Sequence, residues 1–387
     1  MPAMDAVALA QDLIRRPSVT PKDEGALAVL EAALVALGFA CHRLRFEAQG
    51  TAPVDNLYAR VGAGPPHFCF AGHTDVVPPG EPSLWRHDAF AAEIVDGTLY
   101  GRGAVDMKSA IAAFAAAAAR HLAKEPFQGS ISLLITGDEE GPAINGTAKV
   151  LEWLKARGDK IDHCIVGEPT ATAAAGDTIK IGRRGSLTAR IAVRGIQGHV
   201  GYPHKARNPI PALAALIIRL SSQVLDEGTE HFEPSTLSFT TADVGNPAGN
   251  VIPAEARAQL NIRFNDRQSH ETLEAWIRAE TDAVAGQTGC QIALAFERGA
   301  NVFLTAPGPF VSLVAGAAEK INGAKPTLST TGGTSDARFI KQVCPVAELG
   351  LPGSTMHKTD ECVPVAEIRR LADIYAEILK RYFAAPP

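Results

Sequence analysis

The chain has 387 residues, enough for two or three domains of ordinary size and too many for one small module. Its 42 acidic and 37 basic side chains leave a formal net charge of −5, and no long run of like charge stands out, which excludes the basic face of a nucleic-acid-binding domain. With 46% hydrophobic and 20% charged residues, the composition is that of a soluble globular protein and not of a disordered chain.

The N-terminal residues contain no basic segment followed by an apolar one, so no export signal is expected. Apolar residues at helical spacing predict helices over 3–14 and 25–37, with Gly38 at the C-cap of the second. Short apolar runs predict strands at 56–61, 67–71, 131–136 and 163–166. Helices are predicted between them at 107–122 and 147–157, giving the alternation of an α/β domain with a mostly parallel sheet. The most apolar stretch, residues 110–119, is closed by Arg120 and is too short to cross a bilayer.

From about residue 179 the pattern changes. Strands with polar alternation (187–193, 236–244, 255–264, 291–296) and helices (209–220, 270–285) follow in the β-α-β-β-α-β order of a small α+β sandwich. The α/β pattern then resumes with helices at 310–322 and 335–342, a strand at 346–349 and a last helix at 365–382. The expectation is one α/β domain of residues 1–182 and 297–387, with a mixed, mostly parallel sheet flanked by helices, interrupted by an α+β sandwich of residues 183–296. Six cysteines (Cys41, Cys69, Cys164, Cys290, Cys344, Cys362) are scattered without a C-x-x-C pair. They read as thiols in a reducing compartment, and a cytoplasmic protein is expected.

Ligands of open parallel sheets bind outside the carboxyl ends of the strands, and several such ends carry chemistry-bearing groups. The strand at 67–71 leads to His73 and Asp75, that at 131–136 to Glu139 and Glu140, that at 163–166 to Glu168, and that at 346–349 to His357. Asp106 stands at the mouth of the helix at 107–122. Singly, each has a plain alternative: Asp106 as a helix N-cap, the glutamates as solvated loop residues, the histidines as satisfied core or helix-entry groups. Their coincidence at one type of position favours a shared site.

Imidazole and carboxylate ligation without thiolate fits a hydrolytic Zn²⁺ site, which Mn²⁺ or Co²⁺ could also occupy. Three carboxylates and two histidines exceed what one catalytic zinc with an open position needs, and suit two ions sharing a carboxylate. One further carboxylate is needed as a base, and the Glu139–Glu140 dipeptide offers one ligand and one base. The spacing of Asp75 from His73 lets it accept from the other ring nitrogen and fix the tautomer.

The segments GHTDVVPPG (72–80), GRGAVDMKS (101–109), TGDEEGPAINGT (136–147), GEPT (167–170) and MHKTDE (356–361) resemble, in order, the metal-site motifs of the M20 family of co-catalytic zinc amidohydrolases. GRRGSL (182–187), GIQGHVGYPH (195–204), NPI (208–210), GNVIPAEA (249–256), NIRF (261–264) and GGTSDARFI (332–340) are similar to the members that cleave the succinyl amide of N-succinyl-LL-2,6-diaminopimelate. The resemblance implies two Zn²⁺ ions bridged by Asp106, with His73 and Glu168 completing one and Glu140 and His357 the other. It makes Glu139 the general base and then acid, and implies a cis peptide after Asp106.

The resemblance further implies that residues 183–296 form a dimerisation domain, so that the chain is a homodimer whose His199 reaches the partner's active site. It places Arg183, Arg184, Ser186, Tyr202, Asn250, Arg263, Thr334 and Ser335 against the substrate, whose carboxylates suit arginine forks and hydroxyl or amide donors. Gly353 stands where some relatives carry an amide side chain. The alternatives are a sibling deacylase acting on another acyl group, such as acetylornithine deacetylase or an aminoacylase, and a metal-free binding protein of the same fold. No membrane or nucleic-acid partner is expected.

Overall fold

The structure, a computed structural model, describes residues 4–124 and 128–387; Ala3, the first residue of the expected N-terminal helix, lies outside them. The chain divides into two units. One comprises Met1–Ile181, Thr305–Ser329 and Ser335–Pro387, the other Gly182–Leu304 and Thr330–Thr334. The segment 297–304 therefore falls in the second unit: the strand Gln291–Arg298 runs past 296, and Phe303 and Leu304 pair with Arg183 and Gly182.

The first unit is built on an eight-stranded sheet in the order Ala40–Phe46, Val54–Ala63, Gly129–Thr136, His67–His73, His163–Val166, Val346–Glu348, Thr178–Lys180, Thr327–Ser329. The four central strands, from Gly129–Thr136 to Val346–Glu348, are parallel to one another. The first two run antiparallel to their neighbours. Every residue of His67–His73 and of Gly129–Thr136 is buried, the reason their sequences are nearly continuous apolar runs. Ala40–Phe46 lies at the edge with no buried residue; its polar, arginine-containing sequence gives no strand signal. A separate three-stranded sheet of Cys362–Pro364, Thr98–Tyr100 and Ile94–Val95, also without a clear sequence signal, ties the segment before Asp106 to the one after His357.

Helix Lys108–Leu122 is buried from Lys108 through Ala119. Its alanines let it lie close against helices Ala6–Ile14 and Val365–Ala384. Phe114 stacks on Phe70 at 4.4 Å and meets the edge of Tyr375 at 5.7 Å, and the Tyr375 hydroxyl donates to the Leu349 carbonyl. The helix expected over 335–342 is only Ala337–Ile340, and residues 341–344 continue as turns and a bend into the next strand.

The second unit is a four-stranded antiparallel sheet in the order Thr236–Asp243, Glu255–Phe264, Gly185–Arg194, Gln291–Arg298, with helices Pro209–Ser221 and His270–Thr288 packed on it. Alternation in the central strands sends Leu187, Ala189, Ile191 and Val193 with Ala256, Ala258, Leu260 and Ile262 into one core with Leu216 and Ile277. Asn208 caps the first helix through Ile210 N–H. Ser269 and Thr272 form a reciprocal capping box at the second.

Lys108 is fully buried in the first unit, and its ammonium donates to the Arg16 carbonyl at 2.7 Å. Burial pulls it from the ordinary 10.5 down to about 7, against the opposing charges of Glu361, Asp75 and Asp23. Between those two values the unfolded chain binds the proton that the folded chain lacks, so stability rises with pH, by roughly 1 kcal/mol per pH unit. Thermal unfolding of the wild type and Lys108→Met from pH 7 to 10 should show the wild type gaining relative to the variant as pH rises; a pH-independent difference contradicts this account.

Candidate functional site

The carboxyl ends of the central strands form one rim. His73 is the last residue of its strand, Glu139 and Glu140 follow the strand Gly129–Thr136, and Glu168 follows His163–Val166. The turn after Thr136 is held by Asp138, whose carboxylate accepts the N–H groups of Ile144 and Asn145 at 2.8 and 2.7 Å. Asp106 reaches the rim from the mouth of the alanine-rich helix. Its peptide bond to Met107 is cis, as the family resemblance implies. Met107, and not Asp106, occupies the helix N-cap, without a side-chain capping bond, so the Asp106 carboxylate is not used as a cap. A Cβ on Gly72 or Gly167 would come within 2.3 or 2.7 Å of Met107 Cε, so these two motif glycines admit the Met107 side chain beneath the rim.

The Asp106 carboxylate is divided between two imidazoles. Oδ1 lies 3.1 Å from His73 Nε2 and Oδ2 3.2 Å from His357 Nε2. His73 Nε2 is also 3.5 Å from Glu168 Oε1, and His357 Nε2 is 2.9 Å from Glu140 Oε1. Two overlapping sets, His73 with Asp106 and Glu140 and His73 with Glu139 and Glu168, bring potential ligand atoms within 4.8 Å of one another. Glu168 Oε1 is buried without a hydrogen-bond partner. A set of imidazole and carboxylate donors with an oxygen left over suits divalent cations of the Zn²⁺, Mn²⁺ or Co²⁺ type.

Electrostatics at the rim reflects crowded negative charge. Burial pushes Asp75 up to about 6, and burial together with the Asp106 charge pushes Glu168 up to about 7. Burial, then the charge of Glu168, holds Glu139 well above the usual carboxylate range. Against the upward push of burial, His357 and His73 hold Asp106 well below that range. His357 rises to about 10 through its bonds to Asp106 and Glu140. Protons on imidazoles and carboxylates thus offset the repulsion, and bound cations would displace them.

Asp75 orients His73 differently from the expectation. The ring Nδ1 lies 2.8 Å from the Asp75 backbone carbonyl oxygen and 3.6 Å from its carboxylate. The carboxylate instead accepts the N–H groups of Glu139 and Glu140 at 3.3 and 3.1 Å. One residue therefore fixes both a histidine tautomer and the glutamate pair.

Ser335 lies in the first unit, buried, with its hydroxyl donating to Glu348 at 2.6 Å. The other expected substrate residues, and His199, belong to the second unit. There His199 pairs with Val251, the Asn250 carbonyl accepts Val200 N–H, and Tyr202 N–H bonds the His199 carbonyl, so these three side chains share one exposed loop pair. Arg183 is buried and donates to the Thr331 carbonyl. Ser186 and Arg263 face each other across the central strand pair, and Thr334 lies in the short stretch Thr330–Thr334. Arg184 is partly buried, with its Nε unbonded.

Sequence reasoning missed the groups that brace the rim. The buried Glu361 carboxylate accepts Val105 N–H at 2.8 Å, Asp106 N–H at 3.1 Å and the Arg102 guanidinium at 2.7 Å. Arg102 and Glu361 both stand inside motifs already noted, GRGAVDMKS and MHKTDE, but nothing local signals a pairing across the whole chain. Asp336 is also buried, and burial pushes its carboxyl above the usual range.

Comparison with known proteins gives concordant results. The model of peptidase family M20/M25/M40 matches residues 69–381. A succinyl-diaminopimelate desuccinylase of Parvibaculum lavamentivorans is 59% identical over 98% of this chain and 96% of its own length. One from Rhodopseudomonas palustris is 58% identical over 99% of both. Among solved structures, a Staphylococcus aureus tripeptidase aligns with a TM-score of 0.79 at 22% identity over 98% of both chains. A Bacillus subtilis dinuclear metal binding peptidase of the M20 family aligns at 0.70 and 16% over 98% of both. With a family model spanning most of the chain, relatives this similar along nearly its full length and the same fold in distant peptidases, the chain belongs to peptidase family M20/M25/M40.

Proposed function

We propose that the protein hydrolyses the succinyl amide of N-succinyl-LL-2,6-diaminopimelate, releasing succinate and LL-2,6-diaminopimelate, with two Zn²⁺ ions at the rim. The near-full-length likeness to desuccinylases at 58–59% identity carries the substrate assignment. The division of the Asp106 carboxylate between two imidazoles suits a residue that would be shared by two ions, one of which His73 and Glu168 would also hold and the other Glu140 and His357. Co²⁺ or Mn²⁺ would fit the same donors. When bound, such an ion pair polarises the amide carbonyl and makes water at the site more acidic.

Glu139 acts as the base. Its carboxylate takes a proton from the attacking water as the water oxygen bonds to the carbonyl carbon. It returns that proton to the nitrogen as the C–N bond breaks, so the leaving group departs as a neutral amine. Burial beside Glu168 raises the proton affinity of Glu139, which suits a group that alternates between base and acid. Asp75, through the amides of Glu139 and Glu140 and through its carbonyl on His73 Nδ1, keeps base and ligand in register.

The substrate's carboxylates call for forked donors, and Arg183, Arg184 and Arg263 supply them. Ser186, Tyr202, Asn250 and Thr334 add hydroxyl and amide groups, and Ser335 would exchange its bond to Glu348 for one to substrate. The second unit serves as a dimerisation domain in a cytoplasmic homodimer. Its strand Thr236–Asp243 closes one end of the four-stranded sheet, and the partner subunit's His199 donates to the oxyanion that forms on the carbonyl.

Hydrolysis of N-succinyl-LL-2,6-diaminopimelate and of N-acetylornithine by the Zn²⁺-loaded protein tests the substrate directly. The succinyl compound should be turned over with the higher kcat/KM; preference for the acetyl compound refutes the assignment in favour of a sibling deacylase. Glu139→Gln should still bind two Zn²⁺ per chain and lose turnover by about 10²- to 10⁴-fold, the range for a removed general base. Near-normal turnover in that variant would show that the proton goes elsewhere.

A further inference from the structure

The turn that carries His357 is held by two arginines from far along the chain. His357 and Asp360 both adopt left-handed backbone conformations, with φ of +60° and +55°, which residues other than glycine disfavour. From inside, Arg102 donates to the Lys358 carbonyl at 3.2 Å and the Glu361 carboxylate at 2.7 Å, while its guanidinium lies 5.3 Å from the Trp85 ring centroid. From outside, the next residue, Arg86, clips the turn. Its backbone N–H donates to Asp360 Oδ1 at 2.8 Å and its side-chain Nε to Oδ2 at 2.7 Å. Trp85 links the two arginines, next to Arg86 in sequence and against Arg102 through its ring, and its indole N–H is anchored on the Pro79 carbonyl.

The Arg86 side chain is 77% exposed and that of Asp360 only 16%. An ion pair so placed contributes little to global stability. Both oxygens of Asp360 are nevertheless engaged by a single residue, three positions after His357, in a turn that its own backbone does not favour. His357 is braced toward the rim by Asp106 and Glu140, its backbone carbonyl accepts from Arg102 at 3.5 Å, and its side chain is 44% exposed. Removing the outer clip frees the turn on the side of His357, whereas His73 is fixed independently by its strand and by the Asp75 carbonyl.

We infer that the Arg86–Asp360 clip positions His357, so that it sets the affinity of one of the two cation sites and leaves the other unchanged. Arg86 and Asp360 are positioning residues in this account, acting on the ion through His357 and touching neither ion nor substrate. The inference rests on the two-ion reading above. It adds that the two sites differ in their dependence on ionic strength, because a clip at the surface is screened by salt while the buried Arg102–Glu361 pair is not.

The test is Zn²⁺ binding to the metal-free full-length protein in competition with a chromophoric chelator, for wild type, Arg86→Ala and Asp360→Gly. Glycine removes both clip bonds while accepting the positive φ. Two equivalents bound by the wild type uphold the two-ion reading; one or none overturns that reading whatever the variants do. Given two, Arg86→Ala should weaken one site about 10-fold, the lower end of what losing a ligand's orienting partner costs, and Asp360→Gly should weaken the same site further. The other site and the Tm of the metal-free protein should stay as in the wild type. Raising NaCl should weaken that one site in the wild type and have a smaller effect on it in Arg86→Ala. Unchanged affinities, or equal weakening at both sites, overturn the inference.

Discussion

Repulsion among carboxylates gathered at one rim of a buried sheet is the constraint on which the rest of the molecule turns. Two like unit charges 4 Å apart cost about 4 kcal/mol even at an effective dielectric of about 20, and Asp106, Glu139, Glu140 and Glu168 meet around His73 and His357. The rim copes in two ways. Burial and the neighbouring charges raise the proton affinity of Glu139 and Glu168, and both imidazoles turn toward Asp106. Divalent cations answer the same need with more charge in less space, so an arrangement poorly suited to stability alone is well suited to holding them.

Holding such a cluster in place demands a rigid frame, and much of the first unit supplies it. The alanine-rich helix brings Asp106 to the rim, and Met107 fills the space that Gly72 and Gly167 leave open. Glu361 fixes the Asp106 amide from the far end of the chain. The Arg102–Glu361 pair is fully buried, the kind of pair whose breaking is expensive while its net contribution to stability is small. Its use is to bind the segment of Asp106 to the segment of His357, so that both oxygens of the Asp106 carboxylate meet their histidines.

Most of the candidate site residues were legible because they lie at or after the end of a strand whose apolar run announces it. His73, Glu139, Glu140, Glu168 and His357 were read from the strand ends, and Asp106 from the mouth of the helix that follows it. What stayed hidden was set by contacts distant in sequence. Glu361, Arg102 and the Arg86–Asp360 clip join residues whose local sequence looks like an ordinary polar loop, and the three-stranded sheet pairing Thr98–Tyr100 with Cys362–Pro364 is too short to leave a pattern. The edge strand Ala40–Phe46 escaped notice because an edge needs no apolar face. Asp75 was read as a carboxylate partner of His73, yet a spacing of two residues serves carbonyl and carboxylate alike, and the two amides of Glu139 and Glu140 decided which remained for the ring.

The central claim is that Asp106 joins two cations held only by nitrogen and oxygen. X-ray absorption at the zinc edge of the protein saturated with Zn²⁺ tests it most directly. A nitrogen and oxygen ligand shell with a second zinc about 3.5 to 4 Å away is the result this account predicts. A spectrum with sulfur ligation, or one at saturation with no neighbouring metal, would contradict it.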